Sequence, residues 1–246
     1  MNERKVAIVT GGSRGVGAAI ARALAEQSHD LVLAFNADGD AAEVTAKQLR
    51  AIGSDPLLMH VDIRSRASVE TLFDAARERF GRIDVVCANA GVEKVDTPFA
   101  EISEADLDLI VDTNVKGTFF TLQQAARHVT DGGRIIATAS TIALYPPANA
   151  GAYAPTKAAV RLMVEVLAQE LGPRRVTVNT LDPGIVAGAG VVTHVSDDER
   201  AHFVEGIPLG RMLTPDDLKG MIAFLVSDGA AMVTGQHLCV TGGGRP

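Results

Sequence analysis

Several features that mark particular protein classes are scarce or absent in this sequence of 246 residues. Acidic residues outnumber basic ones, and a net charge of -7 argues against a nucleic-acid-binding surface, which needs clustered Lys and Arg. No apolar stretch reaches about 18 residues without charges or turn-forming residues, so no membrane span is predicted. The first residues, MNERKVAIVT, lead into a strand-like segment without a signal-peptide pattern. We therefore expect a cytoplasmic protein that acts on small molecules.

Cysteine and histidine give no metal or redox signature. The two cysteines, Cys87 and Cys239, lie far apart and in apolar runs, which is typical of buried thiols in a reducing compartment. A disulfide or a catalytic thiol is the alternative. The six histidines show no metal-binding spacing, so no metal site is predicted.

The sequence is rich instead in short β-branched runs that alternate with helical stretches. The predicted strands are 6–10, 31–35, 56–61, 85–88, 134–138, 176–181 and 238–240. The predicted helices are 16–27, 41–52, 68–80, 104–129, 153–171 and 215–227. Predicted helix caps are Asp40, Ser65 or Ser68, Ser103 and Thr214, whose side chains can accept hydrogen bonds from first-turn N–H groups.

The strands themselves indicate the fold class. Runs such as VAIVT and RIIATA are apolar on both faces, which predicts parallel strands covered by helices on both sides. We therefore predict an α/β fold, a doubly wound, Rossmann-type, mostly parallel seven-stranded sheet with helices on both faces. An eight-stranded barrel is the alternative, but only about seven strands are counted. Residues 1–246 are expected to form one domain, with a substrate lid around 185–207, where no clear period is visible. An ordinary surface excursion with a short helix is the other interpretation of that segment.

A glycine cluster follows the first predicted strand. The spacing Gly11-x3-Gly15-x-Gly17 allows a tight exit from the strand, brings a diphosphate close to the backbone and packs the next helix on the sheet. The helix N-terminus then offers free N–H groups and a positive dipole end to the anion. This position in a strand-turn-helix unit predicts dinucleotide binding. The later glycines at 242–244 have no helix after them and are interpreted as a tail.

The residue at the end of the second strand bears on the choice of cofactor. An acid there would bind the adenosine 2′-hydroxyl and repel a 2′-phosphate. The sequence reads LVLAFN over residues 31–36, so Asn36 follows the strand and no acid lies at its end. Arg14, in the glycine loop, is suited to pair with a phosphate. The sequence therefore favours NADP(H) over NAD(H), and Asp38 would reverse that preference if the strand ran longer.

Tyr153 and Lys157 are the most informative pair of residues. Four residues apart on a helix, they share one face, and a nearby ammonium favours the phenolate and lowers a tyrosine pKa. Such a tyrosine can deliver and recover a proton. Only two tyrosines occur in the chain, Tyr145 and Tyr153. The spacing alone is common by chance, so the assignment depends on the other motifs.

Taken together, these motifs closely resemble the short-chain dehydrogenase/reductase family in its compact single-domain form, over essentially the whole chain. The resemblance rests on the glycine loop, Asn89-Ala90-Gly91, Asn114 in DTNVKGTFF, Ser140 thirteen residues before Tyr153, and Pro183-Gly184. The catalytic residues that it implies are Asn114, Ser140, Tyr153 and Lys157. The cofactor-binding residues that it implies are Gly11, Ser13, Gly15, Val16, Gly17, Asp62, Ile63, Asn89, Ala90, Gly91, Tyr153, Lys157, Pro183, Gly184 and Val186. Arg14 and Asn36, argued above from the loop and the strand end, complete the predicted cofactor site.

The resemblance implies a role for each catalytic residue. Tyr153 would be the proton donor for carbonyl reduction, and Ser140 would donate a hydrogen bond to the substrate oxygen. Lys157 would hold the nicotinamide ribose, and Asn114 would anchor a water near Lys157. Two departures stand out: Gly188 replaces a common threonine after Pro-Gly, and Pro155 lies between Tyr153 and Lys157, where only a first helical turn tolerates it.

The expected function is a carbonyl or 3-oxoacyl-type reductase that uses NADP(H). An NAD-dependent dehydrogenase of a sugar or steroid-like alcohol is the alternative, and a non-catalytic nicotinamide-binding regulator is a third. An epimerase or dehydratase would need a further substrate domain. The segments 141–151 and 185–207 are expected to form a mostly apolar pocket. Apolar faces near 111–126 and 158–171 predict a homotetramer, with a dimer second and burial within a monomer as the remaining alternative.

Overall fold

A single seven-stranded sheet organises the computed structural model, which describes residues 4–193 and 196–245. All strand pairings are parallel, and the strand order is β3-β2-β1-β4-β5-β6-β7. The strands are β1 (Val6–Thr10), β2 (Asp30–Phe35), β3 (Leu57–His60), β4 (Val85–Ala88), β5 (Arg134–Thr138), β6 (Thr177–Pro183) and β7 (His237–Val240). The predicted doubly wound sheet is confirmed, and each predicted strand is present with its ends shifted by at most two residues.

Eight α-helices connect and cover these strands in the described part of the chain. They are α1 (Gly15–Glu26), α2 (Gly39–Arg50), α3 (Arg66–Phe80), α4 (Glu104–Ile110), α5 (Thr118–His128), α6 (Tyr153–Leu171), α7 (Asp197–Glu205) and α8 (Lys219–Val226). A π-helical segment, Val111–Gly117, joins α4 to α5, and a 3-10 turn, Pro215–Leu218, leads into α8. None of the described helices combines the length and the apolar character that a membrane crossing needs.

The core lies on both faces of the sheet because successive strand residues point to opposite sides. In β1, Ile8 packs into the cluster formed with α3, α5 and α6, whereas Ala7 and Val9 pack into the cluster formed with α1 and α8. All five β1 residues are buried. Burial of each large aliphatic side chain contributes about 1.5–3 kcal/mol, which explains why a strand in this layer reads as one continuous apolar run.

The topology places the functional edge of the sheet. β1 pairs with β2 on one side and with β4 on the other, so the strand order reverses beside β1. In open parallel sheets, a ligand crevice forms at such a reversal, outside the carboxyl ends of the strands. The glycine loop follows β1, Asn89 follows β4, and Ser140 lies two residues beyond β5. These segments therefore lie along one edge.

Three local predictions were wrong. The helix predicted at 104–129 is interrupted by the π-helical segment, and the helix predicted at 215–227 begins as the 3-10 turn. The cap of α2 is Asp38 and not Asp40, because Asp38 Oδ1 accepts from Ala41 N at 2.9 Å while Asp40 lies inside the first turn. The predicted caps Ser65 and Ser103 do accept first-turn N–H groups.

Candidate active site

The loop between β1 and α1 is built on glycines that no other residue could replace. Gly11 and Gly15 have φ angles of +64° and +55°, a region that residues with a Cβ rarely adopt. A Cβ on Gly17 would lie 2.0 Å from the Gly11 carbonyl oxygen, so α1 can approach the loop this closely only with glycine there. The predicted spacing thus has a steric cause at each of its three positions.

Contacts from other elements hold this loop in place. Asn89 Nδ2 donates to the carbonyl oxygens of Thr10 and Gly11, at 3.2 Å each. The Thr10 hydroxyl oxygen accepts from the N–H groups of Asn89 and Ala90. Thr45, in α2, donates from Oγ1 to the Ser13 carbonyl at 2.7 Å. These hydrogen bonds from the residue that follows β4 and from α2 therefore fix the shape of the loop.

The start of α1 fits a diphosphate. Arg14 occupies the N-cap position with an extended backbone, and no side chain caps the helix. The first-turn N–H groups, which include those of Gly15 and Val16, are consequently available to an anion. A Cβ on Gly11 would lie 2.8 Å from Ala90 Cα, so the loop and the segment after β4 form a narrow cleft that side chains would fill. This cradle matches the cofactor class expected from the sequence.

At the adenosine end, the two residues that bear on cofactor preference face each other. β2 ends at Phe35, as predicted, and Asn36 follows it. The Arg14 side chain is 80% exposed, and its Nη1 lies 3.7 Å from Asp38 Oδ2. Asp38 therefore lies next to the cation, although it lies beyond the strand and is committed to capping α2.

Asp62 and Ile63 follow β3 on the same edge. Arg64 binds the Asp62 carboxylate with contacts of 2.7–3.1 Å, and these hydrogen bonds hold the pKa of Asp62 below its ordinary value. The Asp62 N–H donates to Ser68 Oγ at 3.2 Å. A Cβ on Gly117 would lie 2.7 Å from the Ile63 side chain, so Ile63 packs directly against this glycine. Asp62 is thus ionised and anchored at its backbone.

The segment after β6 is held on two sides. Gly184 N–H donates to the Val240 carbonyl at 2.9 Å, and a Cβ on Gly184 would meet Thr241 Cα at 3.2 Å. Val186 forms an isolated parallel bridge with Leu213. Pro183, at the end of β6, and the next three residues therefore follow a fixed path along the carboxyl edge of the sheet.

Tyr153 and Lys157 lie on the first turns of α6, and the structure brings them together. Tyr153 is the first residue of this helix, which places Pro155 in the first turn as predicted. Lys157 Nζ lies 5.6 Å from the centroid of the Tyr153 ring and donates to the Thr138 carbonyl at 2.9 Å. Both side chains are buried.

Asn114 lies in the π-helical segment and binds the backbone of the irregular segment that follows β4. Its Oδ1 accepts from Val92 N and its Nδ2 donates to Val92 O, each at 2.8 Å. A Cβ on Gly91 would be 3.1 Å from Asn114 Oδ1 and 3.6 Å from Lys157 Nζ, so glycine keeps this narrow space open. Single π turns occur frequently at functional sites, because they redirect one side chain.

Ser140 follows β5 and begins a short 3-10 turn. Its Oγ accepts from Ile142 N at 3.3 Å, which leaves its hydroxyl hydrogen able to donate elsewhere. Ile142 packs in a small cluster with Ala150 and Tyr153. The turn therefore lies beside the tyrosine, although the two residues are thirteen positions apart.

The electrostatics of the pair differ from the sequence-based expectation. Burial raises the pKa of Tyr153 well above its ordinary value, and the neighbouring Glu93 carboxylate raises it further. Burial also lowers the pKa of Lys157 to about 8, an effect that Glu93 and Asp182 oppose. The prediction that Lys157 lowers the tyrosine pKa was thus wrong, because burial and the Glu93 carboxylate raise the pKa although Lys157 Nζ lies 5.6 Å from the ring centroid.

Two acidic residues near this pair were missed by the sequence analysis. The Tyr153 hydroxyl donates to Glu93 Oε1 at 3.4 Å. Asp182 is fully buried with Arg161 Nε 2.9 Å away, and burial raises its pKa despite that cation. Asp182 directly precedes Pro183 at the end of a buried strand, a signal that could have been noticed. Glu93 had no signal beyond its position two residues after Gly91.

The predicted lid contains two short helical pieces, the 3-10 turn Gly190–Thr193 and α7, while residues 194 and 195 lie outside the described part. A cavity of about 490 Å³ lies between this segment, Pro147 and the C-terminal residues. Its lining is mostly apolar, as expected from the sequence, and His202, Glu205 and Arg245 add polar groups to it.

The glycines at 242–244 also differ from their interpretation as a tail. The Gly242 carbonyl accepts from Leu209 N at 3.1 Å, and a Cβ on Gly243 would lie 3.0 Å from Pro208. The Arg245 guanidinium stacks 5.4 Å from the centroid of the Tyr145 ring. The C-terminal segment is therefore a wall of the cavity, packed against the residues that follow α7.

Comparison with known proteins agrees with this geometry over nearly the whole chain. Residues 11–244 match the family described as enoyl-(acyl carrier protein) reductase. An L-rhamnose 1-dehydrogenase (NAD(P)(+)) of Azotobacter vinelandii is 38% identical, with 97% of this chain and 96% of that protein covered. A short-chain dehydrogenase/reductase from Serratia marcescens has a TM-score of 0.90 at 32% identity, covering 99% of both chains. A blue fluorescent protein from a metagenomic library, solved in complex with NADPH, has a TM-score of 0.91 at 32% identity, also covering 99% of both chains.

Proposed function

The chain belongs to the short-chain dehydrogenase/reductase family of NAD(P)-dependent oxidoreductases, and from this premise we propose that it is an NADP(H)-dependent carbonyl reductase. It transfers a hydride between the nicotinamide and a ketone or secondary alcohol, with Tyr153 as the general acid and base. The observation that carries this proposal is the Tyr153–Lys157 pair, buried on one face of α6 beside the Ser140 turn. When bound, the nicotinamide supplies or accepts the hydride.

Each catalytic residue has a distinct task in this proposal. During reduction, Tyr153 gives its hydroxyl proton to the substrate oxygen, and Ser140 donates a hydrogen bond to the same oxygen as negative charge develops there. Lys157 holds the nicotinamide ribose and stabilises the phenolate that remains. Asn114 keeps the Val92 backbone in position and anchors a water near Lys157, from which the proton is replaced.

The cofactor is held along the carboxyl edge of the sheet. The N–H groups at the start of α1 would bind the diphosphate. The segments that follow β3, β4 and β6 would hold the adenine, the ribose and the nicotinamide. The residues assigned to this site are Gly11, Ser13, Arg14, Gly15, Val16, Gly17, Asn36, Asp62, Ile63, Asn89, Ala90, Gly91, Tyr153, Lys157, Pro183, Gly184 and Val186.

We propose NADP(H) in preference to NAD(H). β2 ends without an acid, and the exposed Arg14 guanidinium can pair with a 2′-phosphate. Asp38 is already engaged with Arg14 and with the α2 N-terminus, so its charge is partly compensated. The NADPH complex of the metagenomic relative is consistent with this choice.

A sugar or other polyol dehydrogenase that uses NAD(H) is the second candidate. Three polar residues in the otherwise mostly apolar lining of the cavity, His202, Glu205 and Arg245, favour it over a purely apolar substrate. The relative named L-rhamnose 1-dehydrogenase (NAD(P)(+)) points the same way. A 3-oxoacyl-type reductase would instead need room for an acyl chain along that lining.

We further propose that residues 1–246 form one domain with 185–207 as its substrate lid, and that four copies assemble as a homotetramer in the cytoplasm. The assembly is supported by large apolar side chains that remain exposed on the helices between Glu104 and Leu171. These are Leu107, Leu109, Val111, Phe119, Leu162 and Val166. Light scattering on the purified protein tests the assembly.

The deciding experiment is titration of the purified protein with NADPH and with NADH, followed by nicotinamide fluorescence. Selective binding of NADPH, and its oxidation by ketones in a substrate panel, is expected. Selective binding of NADH with alcohol oxidation would favour the second candidate. Binding without turnover over the whole panel would indicate a regulator, and the absence of binding would refute both enzyme proposals.

A further inference from the structure

Glu93 lies at the position where the substrate of the proposed reaction must arrive. Its carboxylate accepts from the Tyr153 hydroxyl at 3.4 Å, although Tyr153 is the group that must donate to the substrate oxygen. Glu93 itself is exposed, whereas Tyr153 is 5% exposed. A carboxylate within hydrogen-bond distance of the Tyr153 hydroxyl is placed to contact a substrate that takes this hydroxyl as its donor.

The proposed lid contacts the same carboxylate. A Cβ on Gly190 would lie 2.3 Å from Glu93 Oε2, so the lid backbone runs directly over it. Gly190 has a φ of +60°, which suits glycine and allows this close approach. Glu93 thus lies between the catalytic tyrosine and the lid.

Several charged side chains surround the contact between Glu93 and Tyr153. Lys157, on α6, is the nearby cation, and Asp182, at the end of β6, acts on that lysine. His202, Glu205 and Arg245 line the cavity farther out. Lys157 donates to the Thr138 carbonyl. The acceptor beside the tyrosine hydroxyl is Glu93 Oε1.

Substrate binding changes the partners of this carboxylate. When the substrate oxygen takes the Tyr153 hydroxyl as its donor, Glu93 loses that donor. A hydroxyl or ammonium group on the neighbouring carbon can replace it, because an ionised carboxylate binds such donors more strongly than a neutral acceptor does. A substrate carboxylate at the same place would meet like charge across a short distance.

We propose that Glu93 is a specificity-determining residue, which selects substrates with a hydroxyl or ammonium donor on the carbon next to the reacting carbon and disfavours those with a carboxylate there. This inference rests on the proposed oxidoreductase function and specifies its substrate class. It adds a polar requirement to the mostly apolar pocket expected from the sequence, and it covers both vicinal hydroxy ketones and their amino counterparts.

Four small ketones test the inference because they differ mainly in one group. They are 1-hydroxypropan-2-one, 1-aminopropan-2-one at about pH 6.5, where the amine is protonated, butan-2-one, and pyruvate. For the wild-type enzyme, we expect kcat/KM for the hydroxy and amino ketones to exceed that for butan-2-one by about tenfold or more, as for a hydrogen bond to a charged group. Pyruvate should fall below butan-2-one.

Two variants identify Glu93 as the cause. Glu93→Met keeps the length of the side chain without a strong acceptor, and it should reduce the hydroxy-to-methyl ratio to about one. Glu93→Gln keeps an acceptor without the charge, so it should abolish the preference for the amino ketone and raise the relative rate with pyruvate. Asp96→Asn removes an exposed charge from the same loop and should leave all ratios as in the wild type. A purely structural role of Glu93 would lower all four rates together and leave their ratios unchanged.

Binding measurements keep the test decisive when turnover is slow. The dissociation constant of each ketone from the enzyme–cofactor complex, read from nicotinamide fluorescence, should show the same ratios. Equal binding of the hydroxy ketone and butan-2-one, or a ratio that survives Glu93→Met, would overturn the inference while nicotinamide binding stays intact. Loss of nicotinamide binding by the wild-type protein would overturn the proposed function and this inference together.

Discussion

The glycine loop and the surroundings of Tyr153 lie at the same edge of the sheet but are determined in different ways. The loop depends on the absence of side chains, since a Cβ at Gly17 would lie 2.0 Å from a carbonyl oxygen. The tyrosine depends on the presence of side chains, because Glu93 contacts it and Lys157 lies near its ring. A steric requirement is local and visible in sequence spacing. An electrostatic environment comes from residues that only the fold brings together.

This difference predicts how each region responds to substitution. Changes in the loop should impair cofactor binding with little regard to charge. Changes around Tyr153 should alter turnover and its pH dependence while the cofactor still binds. The four predictions below test that separation, beginning with the largest effect.

Tyr153→Phe should separate chemistry from binding most clearly. The variant loses the proton donor, and general acid–base catalysis typically contributes a factor of about 10²–10⁴, so kcat should fall by about that factor. NADPH binding, followed by nicotinamide fluorescence, should persist. Tyr145→Phe is the matched control, since it removes the other phenol hydroxyl and keeps the ring against Arg245. Near-normal turnover of Tyr153→Phe with intact cofactor binding would show that another group delivers the proton.

Gly17→Ala should weaken nucleotide binding, which Tyr153→Phe should leave intact. The added Cβ forces α1 away from the Gly11 carbonyl and Asn89, and overpacking of this kind costs about 1–3 kcal/mol. If the displacement falls on the diphosphate cradle, nucleotide affinity should drop about tenfold to a hundredfold, for NADPH and NADH alike. Gly220→Ala is the control, because that helical glycine has open space around it. Unchanged nucleotide affinity in Gly17→Ala would mean that α1 does not bind the diphosphate.

Arg14→Ala and Asp38→Asn test the one part of the loop where charge matters. Loss of the guanidinium should weaken NADPH binding by about tenfold and leave NADH binding nearly unchanged. Asp38→Asn should act in the reverse direction and more weakly, since it frees Arg14 and because asparagine also caps helices well. The measurement is the ratio of the two dissociation constants. An unchanged ratio in Arg14→Ala would remove the main support for NADP(H).

Glu93→Gln should shift the pH dependence of alcohol oxidation. In the proposed mechanism, oxidation needs the Tyr153 phenolate. Because the Glu93 carboxylate raises the pKa of Tyr153, we expect the wild-type rate to rise only at high pH. Removal of that charge lowers the pKa of Tyr153, and the rising limb of kcat/KM should move to lower pH. Lys157 and Asp182 remain, and the pKa of Lys157 should fall further below about 8 because Glu93 raises it. Superimposable profiles for the wild type and the variant would show that Glu93 does not act on the tyrosine.

Most of the fold could be predicted from the sequence because its signals are local. β-branched runs that are buried on both faces, such as β1, indicated a parallel sheet, and their positions were confirmed within two residues. The predictions of helix boundaries failed where a side-chain hydrogen bond to the backbone determined the local structure. The π-helical segment appears where Asn114 binds the Val92 backbone, and Asp38 caps α2 although Asp40 has the same side chain two residues later.

In the candidate site, too, some features follow from local sequence and others depend on tertiary contacts. The sequence determined the glycine loop, the Tyr153–Lys157 face and the order of the motifs along the sheet, because backbone sterics and helical periodicity act within a few residues. Only the tertiary structure decided that Glu93 contacts Tyr153, that Arg161 lies beside the buried Asp182, and that Arg245 stacks on Tyr145. These contacts join residues 21 to 100 positions apart, and their effect on a pKa depends on burial and distance, which arise only when the chain is folded.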